Sequence, residues 1–226
     1  MRRWSLVFAV LLLSAADGLS SGHAAPIFSD DFDLGASPLW GGEVGNWSDA
    51  GGVYNATAPD NFPNSHSSLP FELTDFAIDV DINNVSDGGI WLRSADAPGT
   101  AIGVKGVLLV TGAGATGGTG LYWHLVSDGT SYGSIINAAS GLFPAGSNPH
   151  IRVEVTGDTY EAFVNGAATP GTTLTTSTFA SGRVALYDYA AAQTFDNVVL
   201  APEPTTAALV VLGLCGVTLL RKRPTA

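Results

Sequence analysis

The sequence predicts an all-β domain, a two-sheet antiparallel sandwich over residues 25–201, with an N-terminal signal helix before it and a short apolar helix after it. Three observations carry this. Short segments of alternating apolar and polar residues recur along the chain, Gly, Asp, Asn and Pro separate them, and no stretch sustains a helical period.

The strands follow in order. Over residues 76–82, Ile78, Val80 and Ile82 point one way and Asp79 and Asp81 the other. Residues 88–93 repeat the pattern, with Ile90 and Leu92 inward and Trp91 and Arg93 outward. Residues 103–110 form a more continuous apolar run, as a central strand would. Residues 121–126 and 134–137 flank an Asp128-Gly129 turn. Ile151, Val153 and Val155 alternate with Arg152 and Glu154, and Gly157-Asp158 then turns the chain into residues 159–164, which end at Asn165-Gly166. Val184 and Leu186 form another inward pair, and residues 195–200 close the domain. About a dozen short strands at this spacing fit a sandwich; the competitor, a parallel β-helix, requires a fixed repeat that is absent. The low-complexity segment 111–120, TGAGATGGTG, reads as a mobile loop.

The two ends read as sorting signals. Arg2-Arg3 precedes an apolar stretch from Trp4 to Ala16, the pattern of a secretory signal peptide over residues 1–24. Cleavage after Ala24, with Gly22 at the −3 place, or after Ala16 fits; a retained N-terminal anchor is the alternative. Residues 202–226 hold Pro202-Glu203-Pro204, then an apolar run of 14 residues from Ala207 to Leu220, then Arg221-Lys222-Arg223. A bilayer core asks for roughly 20 residues, so this short transmembrane helix suits transient insertion in the inner membrane and removal by a processing enzyme. The basic triplet would hold the terminus on the cytoplasmic side. This tripartite tail resembles the bacterial PEP-CTERM sorting signal. The resemblance implies an exported envelope or extracellular protein, an exosortase as processing partner and an association with exopolysaccharide. A plain membrane anchor is the alternative.

Between the two ends, four basic residues stand against eighteen acidic ones, a net charge of −14. So acidic a domain argues against nucleic acid and anionic lipid as partners, and tolerates neutral glycans and divalent cations. The single cysteine, Cys215, lies in the tail, so the domain has no disulfide of its own.

Three phrases occur in order: LTDFAIDVDINNVSDGGIWLRS, HIRVEVTGDTYEAFVNG and SGRVALYDYAAAQTFDNVVL. Over residues 27–200 they resemble a concanavalin A-like, laminin-G-like jelly roll, in particular the family named for 3-keto-disaccharide hydrolases. The resemblance implies a fold that hosts lectins, glycosidases and adhesion modules alike.

Two catalytic-looking strings lack their structural context. Gly112-Ala113-Gly114-Ala115-Thr116-Gly117 matches a dinucleotide fingerprint, but a strand-like segment follows it where a helix is needed. Gly129-Thr130-Ser131-Tyr132-Gly133 matches a nucleophile elbow, but Ser131 sits in a hairpin connection. Family 16 glucanases, which share the fold, carry Glu-x-Asp-x-Glu on one strand; Asp79-Val80-Asp81 has no Glu at either flank.

The expected sugar surface comprises Asp79, Asp81, Trp91 and Arg93, on the premise that their strands pair, joined by Tyr122 and His124 from the segment 121–126. An exposed ring stacks on a sugar's apolar face while charged groups bond its hydroxyls. The alternative is that Arg93 merely neutralises Asp79 or Asp81 and that a loop covers Trp91. His66, His124 and His150 lack zinc-ligand spacing. Structural calcium is the expected cofactor, on Asp31, Asp33 and Asp196, which adjacent terminal strands would bring together; the alternative is a solvated acidic edge. The resulting expectation is an exported sandwich that binds or organises polysaccharide. A glycoside-active enzyme and a structural matrix protein without a specific ligand are the alternatives.

Overall fold

The computed structural model describes residues 25–190 and 192–202. The signal helix, the apolar C-terminal helix, Glu203, Pro204 and Arg221-Lys222-Arg223 lie outside the described residues. Among the described residues no helix is long and apolar enough to cross a membrane.

Among the described residues fourteen strands form in chain order: β1 (Phe28–Asp30), β2 (Trp47–Ser48), β3 (Asn55–Ala56), β4 (His66–Ser68), β5 (Phe76–Asn83), β6 (Gly88–Asp96), β7 (Val104–Thr111), β8 (Leu121–Val126), β9 (Ile136–Ala139), β10 (His150–Thr156), β11 (Thr159–Val164), β12 (Thr172–Thr175), β13 (Arg183–Asp188) and β14 (Thr194–Pro202). Sheet I has the order β1-β14-β5-β10-β11-β12, sheet II the order β4-β13-β6-β7-β8-β9, and β2 and β3 form a small ribbon. Every pairing is antiparallel. β14 runs through Pro202, which faces Phe76, so the strand takes in the first residue of the expected tail.

Alternation drives the two sheets together. From sheet I, Ile78, Val80, Ile82, Ile151, Val153, Tyr160, Phe195 and Leu200 turn inward, and Ile90, Leu92, Val107, Leu109, Trp123 and Leu186 meet them from sheet II; all are fully buried in one core. Removing this apolar area from water supplies the main drive for folding, at roughly 25 cal/mol per Å2.

The expected pairing of the first two long strands, β5 and β6, does not occur. The chain crosses from sheet I to sheet II between β5 and β6. β5 pairs with β10 and β14, while β6 pairs with β13 and β7. The connecting residues 84–87 resemble a hairpin turn in composition, but the inward faces of both strands are apolar and each satisfies the other only across the sandwich.

The glycine-rich segment expected as a mobile loop contains a 3-10 turn, Gly114–Thr116. Backbone bonds from Gly112 to Gly120 and from Thr116 to Ala113 fasten it, and Thr116 is buried. No helix follows its GxGxxG string, because β8 begins at Leu121. Ser131 lies in the β8–β9 connection.

Candidate functional site

The six residues expected to share a sugar surface are divided among three places. Asp79 and Asp81 lie on the outer face of sheet I. Trp91, Tyr122 and His124 lie on the outer face of sheet II. Arg93 lies between the sheets.

Trp91 points away from the main core, as alternation requires, yet it is 0% exposed. It sits in a second apolar cluster with Ile102, Val104, Leu108, Val110, Tyr122 and Tyr187. A cover formed by residues 58–65 closes over it. The Trp91 indole Nε1 donates to Asn64 Oδ1 at 3.0 Å, and Asn64 Nδ2 donates to the Tyr132 hydroxyl at 2.7 Å. Tyr187 donates to Asn61 Oδ1 at 2.6 Å. Tyr122 and His124 pack edge to face with ring centres 5.3 Å apart, and Tyr132 lies against His124. Burial pushes the Tyr122 hydroxyl up to about 12 and raises that of Tyr132 as well, so both are neutral groups. Burial also lowers the pKa of His124. Trp91, Tyr122 and His124 are therefore structural: all three are buried, Asn64 takes the Trp91 N–H, and His124 Nδ1 lies 3.2 Å from the Ser134 carbonyl oxygen.

Arg93 departs from the expected outward direction because β6 bulges between Leu92 and Ala95. Arg93 itself has φ 46°, and bulges of this kind re-aim a side chain. A Cβ at Gly182 would lie 2.4 Å from the Arg93 carbonyl carbon, so only glycine lets β13 pass the bulge. The guanidinium donates to the carbonyls of Thr74, Phe179 and Gly157 at 2.7 to 2.8 Å, and reaches Asp75 at 3.4 Å. Neither Asp79 nor Asp81 is a partner.

Asp79 and Asp81 meet other groups. The register places Asp81 between Asp196 and His150, and Asp79 between Val199 and Arg152. His150 Nδ1 lies 2.7 Å from Asp81 Oδ1 and Nε2 lies 3.1 Å from Asp79 Oδ1, so one ring bridges two carboxylates. It donates to both at once only as imidazolium. Arg152 Nη1 donates to Asp79 Oδ2 at 2.6 Å and Nε to Glu154 Oε1 at 2.7 Å. Burial works to lower the Arg152 pKa, but Glu154 and Asp79 outweigh it and the net direction is up. Asn197 Nδ2 donates to Asp81 Oδ2 at 3.0 Å. These side chains are half-exposed, so their outer lone pairs and N–H groups remain open to solvent.

Phe163 completes this face. It is directly opposite Arg152 across β10 and β11, and it is half-buried on the outer side. Sequence reasoning missed it, although the alternation of Tyr160, Ala162 and Val164 with Glu161 and Phe163 signals an outward ring. The outer face of sheet I thus presents a ladder of fixed charges beside one accessible aromatic ring.

The expected calcium residues lie at the other edge of the same sheet. β1 does run beside β14. Asp196 has its pKa raised by burial, and by Asp81, Asp33 and Asp31 nearby. However, the carboxylates are engaged locally: Asp31 accepts from the Asp33 backbone and Asp196 from that of Asn197. Asp30 is held inward by Phe32, Ser37 and Trp40. A cavity of about 320 Å3 adjoins them, lined by Ser29, Asp30, Asp31, Asn197, Val198 and Val199. Among the described residues no group of three or more His, Cys, Asp or Glu side chains is placed to hold a metal ion. The local arrangement of Asp31 and Asp196 is that of Asx turns.

No family model matches the chain, and no curated protein matches it. Solved structures do. The carbohydrate-binding module CBM66 of Bacillus subtilis superposes with a TM-score of 0.57 at 18% identity, over 72% of this chain and 95% of the module. The likeness is one of fold. A Bacillus subtilis protein of unknown function with a galectin-like fold gives 0.59 at 9% identity, over 80% of this chain and 97% of its own. The exoplasmic/lumenal domain of VIP36 in its Ca2+/Man2-bound form gives 0.52 at 11%, over 78% and 88%. The domain is therefore a galectin-like β-sandwich, the jelly-roll architecture expected from the sequence.

Proposed function

We propose that this sandwich binds carbohydrate on the outer face of sheet I, through Phe163 and the ladder Asp81, His150, Asp79, Arg152 and Glu154. One observation carries the reading. The charged side chains hold one another in place before any ligand arrives, and a half-exposed ring lies next to them. Sugar recognition needs an aromatic surface for the C–H face of a ring and oriented acceptors and donors for its hydroxyls. Preorganisation lowers the ordering cost of binding. The fold supports the reading in a general way, since one neighbour is named a carbohydrate-binding module and another is a domain in its Ca2+/Man2-bound form. A glycan array probed with the purified protein, followed by titration of each hit, tests it.

The ligand in this reading is an extracellular polysaccharide. The protein is exported, released from the inner membrane by an exosortase that reads the tail at residues 202–226, and retained in the envelope or matrix. The tripartite tail supports this part of the reading. Intact-mass measurement of the native protein tests it: the mature chain ends near Pro204. A mass that still includes Arg221 to Ala226 makes the tail a plain anchor.

A further inference from the structure

A second cleft, of about 380 Å3, opens beside sheet II, away from the ladder. Val44, Pro63 and Pro98 give it apolar walls, and Glu43, His66 and Asp96 line it as well. His66 is 3% exposed. Its Nδ1 lies 2.8 Å from the Asn64 carbonyl oxygen. A carbonyl can only accept, so Nδ1 carries the proton and Nε2 of the neutral ring is an acceptor. That Nε2 is buried and has no hydrogen-bond partner among the described residues. A buried polar atom without a partner is costly and calls for an explanation.

Nε2 faces Asp96 Oδ1 across 3.9 Å, too far for a hydrogen bond. Asp96 is fixed in this position by Arg183, whose guanidinium also lies 3.6 Å from Glu43. Glu43 is in turn held by the Ser68 backbone N–H at 2.9 Å. The cleft therefore offers two acceptors side by side, one neutral and one charged, flanked by apolar walls; Asp96 Oδ1 keeps its bond from Arg183 and has a second lone pair for a ligand.

We propose that this cleft takes a vicinal diol of a single sugar or polyol unit, one hydroxyl donating to His66 Nε2 and its neighbour to Asp96 Oδ1. Two adjacent O–H donors match two adjacent acceptors, and the C–H face of the same unit lies on Pro63, Pro98 and Val44. The site is independent of the sheet I ladder. It fits one unit, such as a chain end, whereas the open ladder face places no end on a bound chain.

The test is an NMR titration of the imidazole nitrogens in uniformly 15N-labelled protein with methyl glycosides bearing free vicinal hydroxyls, against their fully O-methylated counterparts. The expected result is a saturable shift of the His66 Nε2 resonance with the free diols only, with loss of at least tenfold in affinity in Asp96→Ala and no change in Phe163→Ala. Two outcomes overturn the proposal: no His66 shift with any free diol at tens of millimolar, or an equal shift with the O-methylated compounds. If Asp96→Ala fails to fold, Asp96→Asn replaces it. Its amide can still accept but loses the charge-assisted strength, so the affinity weakens without being abolished. An unchanged affinity counts against the site. Failure of the ladder reading appears separately, as polysaccharide binding that is indifferent to Phe163.

Discussion

Arg93 and Tyr160 belong to opposite sheets and meet in the interior. The guanidinium carbon lies 5.3 Å from the centre of the Tyr160 ring, and Nη1 donates to the Tyr160 hydroxyl at 3.3 Å. Arg93 comes from the bulge of β6 and Tyr160 from β11, so the contact joins sheet II to sheet I. The same guanidinium satisfies three backbone carbonyls from three connecting segments. It is a bracket between the layers.

Arg93→Ala should therefore destabilise the domain by about 3 kcal/mol or more, because a buried guanidinium that joins three part-buried carbonyls and the Tyr160 ring is lost. Arg93→Lys should recover little of this, since one ammonium cannot reproduce the fork. Urea unfolding of the two variants checks it. Stabilities within 1 kcal/mol of the parent would show that water replaces the bracket.

Trp91→Ala should cost roughly 3–5 kcal/mol, the scale of a buried Trp. Affinity for glycan should persist wherever the variant remains folded, because the ring is inaccessible. Selective loss of binding at unchanged stability would return Trp91 to the site.

The pattern 76–82 and 88–93 assigns every inward and outward direction on β5, and on β6 as far as Leu92. Alternation reports the face of a strand and not what lies above it. The cover at residues 58–65 has no periodicity, so the sequence offers a loop over Trp91 only as an alternative and does not decide it. The bulge that turns Arg93 arises from pairing with β7 and leaves no local mark. Nor does composition separate a hairpin from a crossing, which is why Asp79 and Trp91 were assigned to one surface. His150, Arg152 and Phe163 were within reach, because their strands alternate cleanly; they required knowing that β10 is the neighbour of β5.

One buried and one half-buried carboxyl set a pH dependence. Burial raises Asp87 to about 6 and Asp188 to about 7. Asp188 is fully buried and accepts from the backbone of Ala56 and Ala190. A raised carboxyl pKa means that the folded state binds the proton more tightly than the unfolded chain. Their contribution is complete below about pH 4 and is lost as pH rises through about 6 and then 7. Stability from these two groups should thus fall between pH 4 and pH 8. Asp188→Asn should flatten that fall by an amount on the order of 2–4 kcal/mol. Thermal melts across this range check it, and identical slopes in parent and variant would contradict it.

The central claim is that sheet I, and not sheet II, carries the polysaccharide. It is tested most directly by calorimetric titration of one glycan-array hit into Phe163→Ala and Phe62→Ala. Phe62 is 59% exposed and packs against Tyr132 on the sheet II side, so it controls for the loss of an accessible ring. The account predicts that Phe163→Ala weakens binding about tenfold or more, a change of roughly 1.4 kcal/mol, while Phe62→Ala binds like the parent. Parent-like binding by Phe163→Ala, with the loss in Phe62→Ala instead, would place the glycan on the opposite sheet and contradict it.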